Sequence, residues 1–256
     1  MGPGVSLKAR LAAREPTLAT FIKTPHPAVV EVLAMSPLDA LILDAEHAPF
    51  DRTSLDLCVL AARAVGKDVL IRPESASPEH ILQALDLGAT GVLAPHVKNA
   101  EAARDLVSAC RYGPGGRGYA GSSRPARYGR RPMAEHIAGS NADTVIVAQI
   151  EDLEALDAIE AILAVDGIDA FFIGRADLTV ALGCTNADDP KVVAAVERIC
   201  AAGRAANRCI GMFFARPGDA PHWRAHGASF FALASDHAFL LAGADRLAAE
   251  VLAPGS

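Results

Sequence analysis

The chain has 256 residues, 51% of them hydrophobic, enough to bury a full core in one large domain, and no linker-like stretch divides it. A net charge of −6 leaves no basic field for a nucleic-acid backbone. Five cysteines, Cys58, Cys110, Cys184, Cys200 and Cys209, are odd in number, scattered and free of any C-x-x-C pair, which fits reduced thiols in a cytosol. The first twenty residues lack the continuous apolar core of a signal peptide, and no run approaches the roughly 20 apolar residues of a membrane span. The expectation is a soluble cytoplasmic protein, a single domain over residues 1–256, with no nucleic-acid or membrane partner.

Taken in order, the chain alternates short apolar runs with helical patterns. Residues 18–22 are the first run, stopped by Pro25 and Pro27 before an amphipathic segment over 28–35. Residues 40–43 are the second; they end in the polar burst Asp44, Ala45, Glu46, His47, after which Leu55, Val59, Leu60 and Ala64 fall at helical spacing. The third, 69–71, is closed by Arg72 and Pro73, and Pro78 opens a helix that reaches Gly88. Residues 91–95 are the fourth, followed by a helix from Asn99 to about Cys110. The beat then changes, because residues 111–141 carry Gly113, Gly115, Gly116, Gly118 and Gly121 among arginines without a regular pattern, and so long a stretch is usually functional.

The fifth run begins at Val145 and stops at Gln149, Ile150 and Glu151, leading into a helix with apolar Leu153, Leu156, Ile159, Ile162 and Leu163 that Gly167 ends. The sixth, 170–173, stops at Gly174, Arg175, Ala176 and Asp177, and a polar segment through Asp188 and Asp189 leads to a helix opened by Pro190. Residues 209–214 are the seventh run, 217–226 a short helix, 229–233 the eighth run, and Phe239, Leu240, Ala244, Leu247 and Val251 mark a closing helix. Eight strand-like runs, each followed by a helical pattern, give the count of a TIM (β/α)8 barrel, and the length matches the roughly 250 residues such barrels need. The competing doubly wound sheet lacks its fingerprint, since no G-x-G-x-x-G opens the first helix.

In a barrel the strand ends face one pocket, which would gather Asp44, Glu46 and His47, then Arg72, then Gln149 and Glu151, then Asp177. Two carboxylates such as Glu151 and Asp177 raise each other's pKa unless a cation lies between them, and oxygen ligands suit Mg²⁺, Mn²⁺ or Co²⁺. Arg72 is placed to stabilise an enolate oxygen, and His47 can move protons at neutral pH. Those are the requirements of carbon–carbon chemistry beside a 2-oxo acid. Each residue has a plainer role open to it. Glu151 precedes a helix whose dipole favours acids by about 0.3–1 kcal/mol, Asp177 can cap a turn, His47 can be a loop histidine, and Arg72 a surface ion pair. Seven polar residues at four strand ends exceed what capping explains. The other histidines, His26, His80, His96, His136, His222, His226 and His237, lack such company, although His96 falls near the pocket rim.

The segments LDAEHAPFD, IRPESASPEHILQALDLGATGVLAPHVKNAEAA, RYGPGGRGYAGS, VAQIED and FFIGRADL together resemble the metal-dependent class II 2-oxo acid aldolases of the HpcH/HpaI type, from about Leu18 to the last helix. The resemblance implies a barrel, commonly assembled as a hexamer built from a trimer of dimers. It implies that Glu151 and Asp177 hold the divalent metal, that Arg72 holds the keto oxygen, and that His47 is the acid/base residue with Asp44 beside it. It further implies that Asp86 orients the histidine from a neighbouring subunit, and that the loop of Gly116 to Ser123 brings Ser122 or Ser123 to the substrate carboxylate or to an adjacent chain. Two positions depart from the family pattern: Ala45 stands where D-G-E-H has glycine, and Arg175 where I-G-P-A-D has proline. Arg175, between Gly174 and Ala176, is a candidate for contact with the substrate.

The expected activity is reversible aldol chemistry between pyruvate or hydroxypyruvate and an aldehyde. A lysine Schiff base is not expected, since Lys67, Lys98 and Lys191 are poorly placed and only Lys23 ends a strand-like run. The rivals are a lyase acting on acyl-CoA thioesters, which needs a nucleotide groove, and a ring-forming scaffold without chemistry, which needs one of the four central residues to be missing.

Overall fold

The computed structural model describes residues 5–214 and 216–253, so both ends of the expected 1–256 domain lie outside the described residues. Eight parallel strands close in chain order: β1 (Thr17–Ile22), β2 (Ala40–Asp44), β3 (Asp68–Arg72), β4 (Gly91–Ala94), β5 (Val145–Ile150), β6 (Ala170–Ile173), β7 (Ile210–Phe214) and β8 (Ala228–Ser235), the last pairing back onto β1. The expected (β/α)8 barrel is the observed fold. No described helix is long and apolar enough to cross a membrane.

Strand alternation divides the core in two. One set of positions, including Leu41, Leu43, Val69, Ile71, Ile146, Ala148, Phe171 and Ile173, faces the surrounding helices. The other fills the barrel with Ala19, Phe21, Ala40, Ile42, Leu70, Leu93, Val145, Val147, Ala170, Phe172 and Phe230. A barrel of eight strands is narrow enough for these side chains to plug it completely. At the amino ends of the strands the plug is completed by α1 (Leu7–Ala13), which buries Leu7 and Leu11 one turn apart.

The outer layer continues with α2 (Pro27–Ala34), α3 (Arg52–Ala64), α4 (Pro78–Asp86), α5 (Ala100–Cys110), α6 (Met133–Asp143), α7 (Leu153–Asp157), α8 (Ile159–Leu163), α9 (Arg175–Ala181), α10 (Pro190–Ala205), α11 (Ala220–Ala225) and α12 (Asp236–Leu252). Several starts are written in the sequence. Ser77 caps α4 with Pro78 in its first turn, Asn99 caps α5, and Asp51 with Ser54 forms a reciprocal box at α3.

Four elements differ from the sequence reading. The first twenty residues hold α1, whose seven residues are too few to show a period. The stretch read as patternless contains α6, which buries only His136 and so has no apolar stripe. The helix expected after β5 is two, because Ala158 leaves helical geometry (φ −97°, ψ 12°) while the apolar spacing runs on through the break. The polar segment after β6 begins with α9, started by Gly174.

Candidate active site

The alternation that plugs the barrel changes chemistry at its last layer. Above Ala40 and Ile42 the next inward position on β2 is Asp44; above Leu70 on β3 it is Arg72; above Val145 and Val147 on β5 it is Gln149. Asp44 and Arg72 are register partners on adjacent strands, so their side chains meet. Arg72 donates through Nε to Asp44 Oδ1 at 3.0 Å and through Nη2 to Oδ2 at 2.8 Å, and its guanidinium lies 4.6 Å over the Phe21 ring. Asp44 also accepts from the His47 backbone at 3.1 Å and sits 3.4 Å from Lys23 Nζ. Burial alone would raise the Asp44 carboxyl. The Arg72 hydrogen bonds and charge, with help from His47 and Lys23, hold it below the usual carboxylate range.

This layer floors a cavity of about 470 Å³. Lys23, His47, Arg72 and Gln149 line one part of it, Gly174, Arg175, Ala176 and Asp177 another, and Phe21, Phe172, Phe213, Ser235 and His237 the rest. The half-exposed His47 imidazole places Nε2 3.8 Å from Glu46 Oε2. Glu46 Oε2 lies 3.2 Å from Arg72 Nε, whose hydrogen is already given to Asp44, so the contact is ionic without a hydrogen bond. Burial pushes the Glu46 carboxyl up, against the pull of Arg72, His47 and His96.

Glu151 is buried just beneath the cavity wall. It accepts from Gln149 Nε2 and, at 2.9 Å, from the His96 backbone, which takes a left-handed conformation (φ 55°) to point there. Gly174 is required above it: a Cβ at that position would stand 2.5 Å from Glu151 Oε2 and 2.8 Å from its Cβ. Burial raises the Glu151 carboxyl; the hydrogen bonds from Gln149 and His96 oppose this, and the charge of Asp177 adds to it. Asp177 itself is exposed, in the first turn of α9 and in the cavity wall. Glu151, His96 and Asp152 offer ligand atoms within 4.8 Å of one another, and Asp177 adds its charge to the burial that raises the Glu151 carboxyl, a donor set that a hard divalent cation relieves. Gln149 Oε1, buried with no hydrogen-bond partner among the described residues, is a further polar atom at the same place. The residues present therefore fit a divalent cation.

Other expected residues fall elsewhere. Asp86 lies in the last turn of α4, bound to Arg117, and does not meet His47 of its own chain. The glycine-rich loop is pinned to the outer layer, where Arg124 donates to Leu87 O at 2.7 Å and Asp56 Oδ1 at 2.6 Å; Ser122 and Ser123 do not line the cavity of their own chain. Arg175 forms part of the wall, but its guanidinium turns away, 3.3 Å from Ala187 O, 3.9 Å from Asp188 and 5.2 Å from the Trp223 ring. Burial lowers its pKa, with the Asp219 and Asp188 charges opposing.

Sequence reasoning passed over His237 and gave no role to Lys23, Ser235 or the aromatic walls. The strand-end rule itself contained the signal: Lys23 is the next inward position after Ala19 and Phe21, Ser235 is the last residue of β8, and His237 comes two residues later.

The sequence matches the HpcH/HpaI aldolase/citrate lyase family over residues 18–242. It is 36% identical to a 4-hydroxy-2-oxo-heptane-1,7-dioate aldolase of Salmonella typhimurium, covering 95% of this chain and 93% of that protein. It is 35% identical to a 5-keto-4-deoxy-D-glucarate aldolase of Klebsiella pneumoniae, covering 94% of each. Among solved structures, an HpcH/HpaI aldolase/citrate lyase family protein from Burkholderia cenocepacia superposes with a TM-score of 0.91 at 30% identity, covering 96% of this chain and 98% of that one.

Proposed function

The chain belongs to the HpcH/HpaI aldolase/citrate lyase family and is a carbon–carbon lyase, and we propose that it is a class II aldolase that joins or splits a 2-oxo acid, pyruvate or hydroxypyruvate, and an aldehyde. The observation that carries this reading is Arg72. Two of its nitrogens are locked on Asp44, and the guanidinium opens on the same cavity as His47, Gln149 and Asp177.

Glu151 and Asp177 would hold a divalent ion, Mg²⁺, Mn²⁺ or Co²⁺, which supplies a Lewis acid for the donor's keto oxygen. Gln149 must swing its amide off Glu151 for this, since Nε2 now covers that carboxylate. Arg72 then offers its remaining N–H groups to the same oxygen, a rigid donor where charge develops. Gly174 and Ala176, in the cavity wall, would meet the donor carboxylate through their backbone. His47 takes a C3 proton; the C–H pair becomes the enolate double bond, C3 attacks the aldehyde carbon, and the imidazolium returns the proton to the new alkoxide. Lys23 is held by Asp44, which supports a route without a Schiff base.

Asp86, Ser122 and Ser123 would act on a neighbouring chain's site. An assembly, a hexamer in this reading, is supported by α12, which exposes Leu240, Leu241, Leu247, Val251 and Leu252.

Exchange of the donor's C3 hydrogens with D₂O, followed by NMR without aldehyde, isolates enolate formation. His47→Ala should slow it by roughly 10²–10⁴-fold, the usual contribution of a general base. Unchanged exchange with an impaired aldol step would move His47 to the acceptor side; no change in either removes it from the reaction.

A further inference from the structure

We infer that His222, His226 and Glu197 form a second metal site on the outer layer, for a transition-metal ion such as Zn²⁺ or Ni²⁺. His222 and His226 are four residues apart where α11 ends, so one helical turn brings both rings to the same side, with centroids 4.5 Å apart. Glu197 reaches them from α10; His226 Nε2 lies 3.5 Å from Glu197 Oε1, and one ligand atom from each of the three lies within 4.8 Å of the others. Zinc–nitrogen bonds of about 2.0–2.1 Å put two ligand atoms of a tetrahedral ion roughly 3.3 Å apart, so modest side-chain movement completes the site.

The hydrogen bonding points to a cation. His226 Nδ1 lies 2.9 Å from the His222 carbonyl oxygen, which can only accept, so Nδ1 carries the hydrogen and donates it. In the neutral ring Nε2 then turns a lone pair toward a carboxylate. Two acceptors face each other, and a positive charge belongs between them. A proton would serve that one pair; a metal ion also uses His222, the third member of the cluster. A ring whose other nitrogen donates to a backbone carbonyl is the usual setting of a metal-binding histidine. Two imidazoles and one carboxylate suit Zn²⁺, Ni²⁺ or Cu²⁺, whereas the carboxylates of the cavity suit harder ions.

The site has a route to the cavity. Trp223, buried between the two histidines in sequence, has its ring 4.6 Å from His222 and 5.7 Å from His226, and it lies 5.2 Å from the guanidinium that Arg175, a residue of the cavity wall, turns back onto it. An ion here clasps α11 to α10 and holds Trp223 behind Arg175.

Trp223 is the single tryptophan of the chain, so its fluorescence reports on the site. The full-length protein, stripped with chelator, is titrated with Ni²⁺ alone. We expect saturable quenching at one equivalent that persists in Asp177→Ala. His222→Ala and Glu197→Gln should each need at least the roughly 10–100-fold more Ni²⁺ that follows loss of a group merely orienting a ligand. Equilibrium dialysis should also show one fewer Zn²⁺ bound by His222→Ala. Quenching that fails to saturate, survives unchanged in His222→Ala or vanishes in Asp177→Ala overturns the assignment. None of these outcomes depends on aldolase activity, so the two readings stand or fall separately.

Discussion

The two ends of the barrel are both ringed with charge and use it in opposite ways. At the amino end, charged side chains close the fold by meeting backbone. Lys8 donates to Thr144 O at 2.8 Å and pairs with Asp169, which accepts from the Ile146 backbone at 2.8 Å. Asp39 accepts from the Leu18 backbone at 2.8 Å, and Asp68 from the Leu7 backbone at 3.3 Å and, besides, from the Thr90 hydroxyl at 3.0 Å. At the carboxyl end, charges face other charges: Glu46 and Asp44 share Arg72, Glu151 lies under the influence of Asp177, and Glu46 Oε2 and Gln149 Oε1 are buried without hydrogen-bond partners among the described residues. Ion pairs anchored on backbone mark a structural end, even though Arg10 Nε there is also buried without a hydrogen-bond partner among the described residues; crowded carboxylates and orphaned acceptors mark the end where a ligand completes the balance.

The largest effect should come from Arg72. Arg72→Lys replaces a planar fork with a point charge that cannot hold Asp44 at two places and still reach a substrate oxygen. The expected loss in kcat is roughly 10²–10³-fold, the size found when one preorganised donor to a developing oxyanion is removed. Donor KM should change less. A rise in KM at constant kcat would reduce Arg72 to a binding group.

Glu151→Gln asks whether the mouth really trades stability for function. It removes a buried charge that burial and Asp177 both disfavour and keeps the shape under Gly174, while Gln149, by turning its amide, lets its unpartnered Oε1 accept from the new Nε2. Calorimetric Tm of the chelator-treated variant should equal or exceed that of the parent, while Mn²⁺ affinity falls by at least roughly 10–100-fold. A lowered Tm would place Glu151 with the structural charges of the amino end.

Much of this contrast was legible in the sequence, for a reason specific to barrels. Strands buried on both faces read as continuous apolar runs, so the residue that breaks each run marks a strand end: Asp44, Arg72, Gln149 and Asp177 were found that way. What stayed hidden depended on direction or on partners distant in sequence. Nothing local shows that the Arg175 guanidinium turns back onto Trp223, 48 residues later by number, or that Asp86 is taken up by Arg117. His237 was passed over because β8 runs two residues beyond the apolar run 229–233, through Ala234 and Ser235, so its true end was not marked by a break in hydrophobicity. The split at Ala158 keeps its apolar spacing, so periodicity could not reveal it.

At the amino end the test is packing. Leu11 is fully buried among inward side chains of the barrel, and Leu11→Ala should cost about 2–5 kcal/mol in denaturant unfolding, as for other buried leucines. Below the unfolding transition the variant's kcat should match the parent's, since the plug lies at the far end from the cavity. A loss of kcat in the folded variant would show that the two ends are coupled through the barrel interior.

The smallest and most discriminating effect concerns Asp236, which sits at the carboxyl end but behaves like the charges of the amino end. Its two oxygens each accept a backbone hydrogen bond at 2.9 Å, from Lys23 and Thr24, tying the start of α12 to the end of β1. Burial would raise this carboxyl, yet the hydrogen bonds of Thr24 and Lys23, with the charge of His237, hold it below its ordinary value. A depressed folded pKa means that the folded state gains over the unfolded one once the unfolded carboxyl, near 3.9, has ionised, and that this gain is lost as pH falls through the lower folded value. Asp236→Asn keeps the shape but can accept through only one oxygen, leaving one buried N–H poorly met at a cost of about 1–3 kcal/mol. The stability difference between parent and variant should therefore be full at pH 6–7 and shrink on acidification below about 4. A difference that does not change with pH would mean that geometry alone, and not ionisation, makes Asp236 a structural residue at the functional end.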